Sequence, residues 1–510
     1  MDGALLEGIL LALQPVSLAA AVVGVLLGVL VGAIPGLTAT LGVALLVPVT
    51  FVLDPSTGMI MLTGVYAGAI YAGAITAILL RIPGTPASIP ATWDGYPLTQ
   101  RGQARLALGT AAFASGIGGL LSGVALFSLS PLLARLALSF GAVEYVALVL
   151  FGLIVVVFLL DGSLLHSCAG VFVGMSLGLV GLDPEFGFAR YVFGRFELAG
   201  GLGVVPVLIG VFCITEAGRL AALTRSDYRP GESVSMAPGR RLPSLRDVRS
   251  NGWNLGRSSA IGVGLGVLPA VGPETTPFIS YAAARRASKR KDLYGKGSLE
   301  GLMAAEASNN ANVGGSLIPT LALGIPGSAV AAVFLGALTL QGLRPGPLLF
   351  VEQPVLVYSI FTGFMLVNLF MLVAGIVFVR QFAVVLRLPH AALATAVAFF
   401  SVIGAFAIGS NIFNVWVMFA AGLLAALLLA ARIPLAPVVL GLILGPILET
   451  NLVRALAASQ GDWSIFVQRP ISLGFLLAGL VVVAVVSVGR LRRARGRTGE
   501  QAVADSLDVR

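Results

Sequence analysis

Charge is scarce in this sequence. Asp, Glu, Lys and Arg make up 11% of its 510 residues, against about 25% in a soluble domain. That scarcity excludes an ordinary soluble fold. Cysteine and histidine are nearly absent, with two of each. Cys168 and Cys213 both fall in apolar runs, so they read as reduced packing residues, and no disulfide or metal set is supported. His166 and His390 sit near expected helix ends and read as interfacial or packed. The sequence contains neither HExxH nor GxxxxGK[ST], so neither zinc hydrolysis nor direct ATP use is supported, and no enzymatic activity is expected. The period-2 alternation of a membrane β-barrel is missing. The opening MDGALLEGIL lacks a basic n-region, so no cleavable signal is expected there.

What is present is apolar sequence of helical length, recurring from residue 17 to residue 489. The chain is 57% hydrophobic, with a mean hydropathy of +0.98. The expectation is an all-α polytopic membrane protein with about 11 to 12 spans. The formal net charge of +9 does not point to nucleic acid, because the basic residues gather in loops between apolar runs. Residues 224–257 carry Arg225, Arg229, Arg240, Arg241, Arg246, Arg249 and Arg257. Residues 285–296 read RRASKRKDLYGK, and the tail contains GRLRRARGR. The positive-inside rule places all three in the cytoplasm, with the C-terminus, and places Asp183, Glu185, Glu197 and Asp462 outside.

The chain repeats itself. VGAIPGLT at 31–38 matches LGVLPAVG at 265–272, an offset of 234 residues. RIPGTP at 81–86 matches GIPGSA at 324–329, an offset of 243. The expected organisation is a first membrane half at 1–223, a basic linker at 224–257, a second half at 258–489 and a cytoplasmic tail at 490–510. Arg101 and Arg105 make the segment at 107–129 start inside. Arg380 and Arg387 make the segment at 354–378 start outside. Equivalent segments then run oppositely, which defines an inverted repeat, and internal duplication of that kind is typical of secondary transporters.

Each half holds two Pro/Gly interruptions, read as broken helices or re-entrant hairpins. Proline removes a backbone donor and clashes with the preceding turn, while glycine permits strained dihedrals. Backbone groups freed at membrane depth need protein, water or ligand partners. Helix N-termini suit anionic groups, and carbonyls and hydroxyls suit Na⁺. The candidate substrate- or ion-binding residues are Pro35, Gly36, Thr38 and Thr40 in the first break, and Pro83, Gly84, Thr85 and Ser88 in the second. The third offers Gly272, Pro273, Glu274, Thr275 and Thr276. The fourth offers Pro326, Gly327 and Ser328, preceded by Glu306, Ser308, Asn309, Asn310 and Asn312. Amide oxygens can coordinate a cation and amide nitrogens can donate to a carboxylate, so a transported Na⁺ is placed near Asn309, Asn310 and Thr275. Glu274 and Glu306 can titrate for proton coupling or stay ionised beside Na⁺. No resident cofactor or metal is expected. Trp93 to Leu98 reads as a turn after the second break.

These stretches resemble the large membrane subunit of the tripartite tricarboxylate transporters, the TctA family. The resemblance is carried by GAIPGLTATLGVALLVP at 32–48, YAGAIYAGAITAILLRIPGTPAS at 66–88, DGYPLTQRG at 94–102, GVLPAVGPETTPFISYA at 266–282 and EASNNANVGGSLIPTLALGIPGS at 306–328. It implies a bacterial inner-membrane protein that forms a transport pathway for citrate-like carboxylates. It further implies a small membrane subunit and a periplasmic solute-binding protein as partners, and an ion gradient as the driving force. Which motif residues bind ion and which bind substrate does not follow from the match. A passive channel or a stand-alone organic-anion transporter is the alternative.

Overall fold

Glycines at 24, 28 and 32 decide how the first long helix packs, because four-residue spacing puts them on one face. In a computed structural model, residues 2–159, 163–222, 239–269, 272–378 and 390–507 are described. The chain opens with α1 (Asp2–Ala12), α2 (Pro15–Ala33), α3 (Ala39–Leu46) and α4 (Pro55–Leu80). It continues through α5 (Ile89–Gln100), α6 (Ala104–Ala137), α7 (Ala142–Leu159) and α8 (Leu164–Gly178). A two-stranded antiparallel hairpin, β1 (Gly181–Leu182) with β2 (Ala189–Arg190), precedes α9 (Val204–Ala222). The second half has α10 (Leu245–Val267), α11 (Gly272–Ala287), α12 (Leu299–Leu323), α13 (Ala329–Leu340) and α14 (Pro354–Val377). It ends with α15 (His390–Ala407), α16 (Ile412–Ala430), α17 (Leu435–Ala458) and α18 (Pro470–Leu507).

Among the described residues, nine helices are long and apolar enough to cross a membrane. Helices α10 and α12 reach 23 and 25 residues, but the polar residues along them keep them out of that set. The duplication holds at the level of single contacts. Gly28 and Gly32 of α2 press on Val65 and Ala69 of α4, and Gly262 and Gly266 of α10 press on Ser308 and Asn312 of α12. The α2 and α10 positions differ by 234 and the α4 and α12 positions by 243, the two offsets of the sequence repeat. Small residues at these crossings let the backbones meet, which is how membrane helices associate where lipid removes the hydrophobic drive.

The halves run in opposite directions. Along α6 and α12 the contacts rise together, from Gly118 against Ala307 to Ser122 against Gly314, so these helices are parallel. Along α4 and α14, Ile60 meets Gly363 and Tyr71 meets Gly375, again parallel. Between α6 and α14 they fall, with Gly116 on Leu372, Gly119 on Asn368 and Gly123 on Met365. Helices α4 and α12, equivalent by sequence, are therefore antiparallel, and the repeat is inverted. Arg81, Arg101 and Arg105 then share a side with the basic stretch 285–296.

Three boundaries differ from the sequence reading. Residues 245–257 are the first turns of α10 rather than linker, because Ser244 and Asp247 form a reciprocal capping box that starts the helix there. Residues 329–340, which the sequence reading left unassigned between the fourth break and the segment at 354–378, form the buried helix α13. Trp93 to Leu98 is helical, within α5, and not a turn. Arg225, Arg229, Arg380 and Arg387 lie outside the described residues, as does the 270–271 portion of the third break.

Candidate functional site

The second and fourth breaks are re-entrant. Helix α4 ends on Arg81 (φ 60°) and α12 on Gly324 (φ 70°), equivalent positions in the left-handed conformation that reverses the chain. The chain then turns back inward. Gly84 N–H donates to Gly73 C=O at 3.2 Å, well back along α4. A Cβ on Gly84 would lie 2.7 Å from Gly32 O and 2.8 Å from Gly73 Cα. A Cβ on Gly327 would lie 2.5 Å from Gly266 O and 2.8 Å from Ser316 Cα, the repeat counterparts. Only glycine fits either tip. Ser88 Oγ closes the turn Pro86–Ser88, accepting from Thr85 N–H at 3.3 Å and donating to Thr85 O at 2.8 Å. Ser328 caps α13 by accepting from Ala331 N at 3.1 Å. Pro83 is half-buried, while Pro326 and Gly327 are buried.

The first and third breaks are hairpin tips. Ile34 ends α2, Pro35 and Gly36 (φ 95°) turn the chain, and Thr38 caps α3 by accepting from Leu41 N at 3.2 Å. Thr40 is buried behind it. In the third, Gly272 (φ 54°) opens α11, followed by buried Pro273 and accessible Glu274 in the first turn. Thr275 is half-buried. Thr276 Oγ1 donates to Gly272 O at 2.9 Å and accepts from Asn312 Nδ2 at 2.9 Å. The Pro86–Ser88 turn packs on α11, and α13 packs on α3. The structure thus brings the second break to the third and the fourth to the first.

Helix α12 carries a buried polar row between them. Glu306, Ser308, Asn309, Asn310 and Asn312 are each fully buried. Ser308 is spent on its own helix, donating to Ala305 O at 2.9 Å. Asn310 Nδ2 donates to Ala67 O at 3.3 Å. Glu306 Oε2 accepts from Ser115 Oγ on α6 at 3.1 Å. Glu306 Oε1, both amide atoms of Asn309, and Oδ1 of Asn310 and Asn312 have no hydrogen-bond partner among the described residues. Buried groups in that state cost roughly 1 to 3 kcal/mol each. They are concentrated on one helix, α12.

The sequence reading missed four residues. Tyr66 of α4 crosses to the other half, its hydroxyl 2.9 Å from Ser328 Oγ and 3.1 Å from Ser316 Oγ. Asp94, fully buried, accepts from the backbone N–H groups of Gly295, Gly297 and Ser298 at 2.8 to 2.9 Å and from Tyr281 O–H at 2.9 Å. It ties α5 to the loop before α12, and Trp93 packs edge-on against Phe278 and Tyr281 beside it. Arg219 and Glu216 of α9 form an ion pair at 2.6 Å against the first break. No sequence spacing links Tyr66 or Asp94 to partners 187 to 262 positions away. The IPG repeat gave the only local signal, and it reached Tyr66 only through the stretch before the second break.

At the opposite side from the basic loops, β1–β2 is pinned to α17. Arg190 pairs with Glu449 and Asp183, and Arg454 with Glu185 at 2.6 Å. The backbone N–H of Phe186, helped by that of Glu185 and by the Arg190 charge, holds the Asp183 carboxyl below its ordinary value. Among the described residues, no group of three or more His, Cys, Asp or Glu side chains is placed to hold a metal ion.

A family model for the tripartite tricarboxylate transporter TctA family matches residues 18–440. The chain is similar to an uncharacterized 52.8 kDa protein in the TAR-I ttuC' 3' region of Agrobacterium vitis, 38% identical over 95% of this chain and 96% of that one. It is also similar to an uncharacterized protein in the TAR-II ttuC' 3' region of the same organism, 36% identical over 45% of this chain and 96% of that one. No solved structure matches the chain.

Proposed function

The chain belongs to the tripartite tricarboxylate transporter TctA family, and from that premise we propose that it forms the transport pathway for secondary active uptake of small, citrate-like carboxylates. The coupling ion is Na⁺ or H⁺. The observation that carries this reading is the meeting of inverted, re-entrant breaks around the buried polar row of α12. Two opposed tips reaching one interior region let access alternate by moving one unit against the other.

In this reading a small membrane subunit sits beside the chain in the bacterial inner membrane, and a periplasmic solute-binding protein delivers the substrate. The basic stretch 285–296 and the C-terminus face the cytoplasm, as the positive-inside rule requires. The β1–β2 loop then faces the periplasm. No resident cofactor takes part. Helix N-termini at the breaks receive carboxylate groups.

The test is uptake by the purified protein in vesicles, with its cognate binding protein, under an imposed Na⁺ or proton gradient across a panel of carboxylates. Gradient-dependent accumulation supports coupled transport. Equilibration without accumulation under either gradient replaces it with a passive pore.

A further inference from the structure

Tyr66 and Asn309 hold equivalent places in α4 and α12, 243 residues apart. Tyr66 spans to the opposite half and bonds Ser328 and Ser316. The same operation turns Asn309 toward Thr85 and Gly73, the counterparts of Ser328 and Ser316. Two facts agree with that direction. Asn309 stands seven residues before Ser316, two helical turns, and so shares its stripe. A Cβ on Gly73 would lie 2.7 Å from Thr85 Oγ1, so the Thr85 hydroxyl does face that stripe of α4.

The two places are chemically unlike. Tyr66 is long enough to bridge its gap, and Asn309 is shorter by an aromatic ring. Gly73 offers no hydroxyl where Ser316 has one. In half two every hydroxyl at the junction is bonded. At the half-one tip, Thr85 Oγ1 and both amide atoms of Asn309, which comes from half two, are buried with no hydrogen-bond partner among the described residues, at 6% and 0% residue exposure.

The backbone of the second break decides the sign of charge it suits. Pro83, Pro86 and Pro90 have no N–H. Gly84 N–H is taken by Gly73 O, Thr85 N–H by Ser88 Oγ, Ser88 N–H by Thr85 O, and Ile89 N–H by Pro86 O. The tip therefore has few donors left for a carboxylate, and what it presents is oxygen. The side chains of Asn309 and Thr85 are themselves neutral, and Glu306 gives its Oε2 to Ser115 on α6. Neutral oxygens suit a singly charged hard cation, since divalent ions draw on carboxylates.

We infer that Asn309 and Thr85 hold one partly dehydrated monovalent metal cation of the Na⁺ kind at the tip of the second break, and that Tyr66 fills the repeat-related place in half two. The two halves thus supply one cation site and not two. This rests on reading the breaks as the transport pathway.

The test is direct binding of radiolabelled Na⁺ to the purified full-length protein, competed with unlabelled Na⁺ or choline, with no carboxylate present. The expected result is saturable binding of one Na⁺ per chain, competed by Na⁺ and not by choline. Asn309→Ala and Thr85→Val should each weaken it by about tenfold or more. Asn309→Asp, which keeps an oxygen at the same place, should retain it in a monodisperse protein. Absence of saturable Na⁺ binding in the parent protein, a stoichiometry of two, or unchanged affinity in both Asn309→Ala and Thr85→Val would overturn the inference. Carboxylate uptake driven by a proton gradient alone would leave the transport reading standing while the cation site falls.

Discussion

Asn310 donates its side-chain amide to the backbone carbonyl of Ala67, and the two residues occupy the same position in the two repeats. Contact between equivalent residues places the relating axis between α4 and α12 at that point. Asn310 is also 3.2 Å from Met371 Sδ on α14, so the one amide joins three helices. Interhelical bonds of this kind contribute about 0.6 to 2 kcal/mol in membranes, which is too little to decide insertion. Asn310→Ala should therefore leave expression and membrane insertion intact and lower uptake severalfold. Normal uptake by the variant would remove Asn310 from the pathway.

Gly84 and Gly327 make the same close approach in the two halves, so their alanine variants should fail alike. A methyl at either place has to push on a carbonyl oxygen and on a helix backbone, not on a movable side chain. Overpacking of this kind costs about 1 to 3 kcal/mol. Each variant should lose most of its uptake and melt lower than the parent by similar amounts. A large loss for one and none for the other would show that the tips do different work.

The repeat, the four breaks and the opposed directions were legible because they depend on local chemistry and on loop charge. Proline and glycine announce a break wherever they fall, and two matched offsets announce a duplication. Tyr66, Asp94 and Arg219 were not legible, because their roles exist only across the fold. Asp94 looked like part of a Trp-Asp-Gly turn, and its real partners lie at 281 and 295–298. The α12 amides were found as a cluster, but their division of labour was not. Asn310 serves the axis and Asn312 ties to Thr276, while Asn309 is left without a partner among the described residues.

Asp94 should matter for stability before it matters for transport. Asp94→Ala strips four donors of their acceptor at a buried junction, a loss of about 3 kcal/mol or more. Asp94→Asn keeps one oxygen for the three backbone N–H groups, and Tyr281 can turn its hydroxyl to accept from the new amide. The asparagine variant should then lose only about 1 kcal/mol. Thermal unfolding ranks the two. Trypsin cleavage at exposed Lys289, Arg290 and Lys291 reports whether the loop has come free. Equal stability of Asp94→Ala and the parent would show that the clamp carries no load.

Glu274 is a carboxylate that the duplication does not explain, since the first break has Thr38 and Thr40 but no acid. It stands accessible in the first turn of α11, where a negative charge is favoured by the helix end. Glu274→Gln keeps the shape and removes the charge. Uptake should fall while insertion and folding persist, and the dependence of the rate on external pH or Na⁺ should change with it. A variant with parental uptake at every pH and Na⁺ concentration would exclude Glu274 from coupling.

Arg219 lies against the first break, beside Gly36. A Cβ on Gly36 would lie 3.3 Å from Arg219 Cζ and 3.2 Å from Glu216 Oε1, so the ion pair sits directly on the turn that precedes the N-terminus of α3. A guanidinium and a helix N-terminus side by side favour an anion twice over. Glu216 holds the guanidinium through Nε at 3.0 Å and Nη2 at 2.6 Å, which fixes its plane. Arg219→Gln should raise the carboxylate concentration for half-maximal uptake by about tenfold, the loss of one charge-assisted contact. Arg219→Lys should recover part of that loss, because the charge returns without the planar fork. Glu216→Gln should fall between the two, since it frees the guanidinium without removing it. Saturation curves of initial uptake rate separate these cases. An unchanged half-saturation in Arg219→Gln would place substrate recognition elsewhere in the pathway.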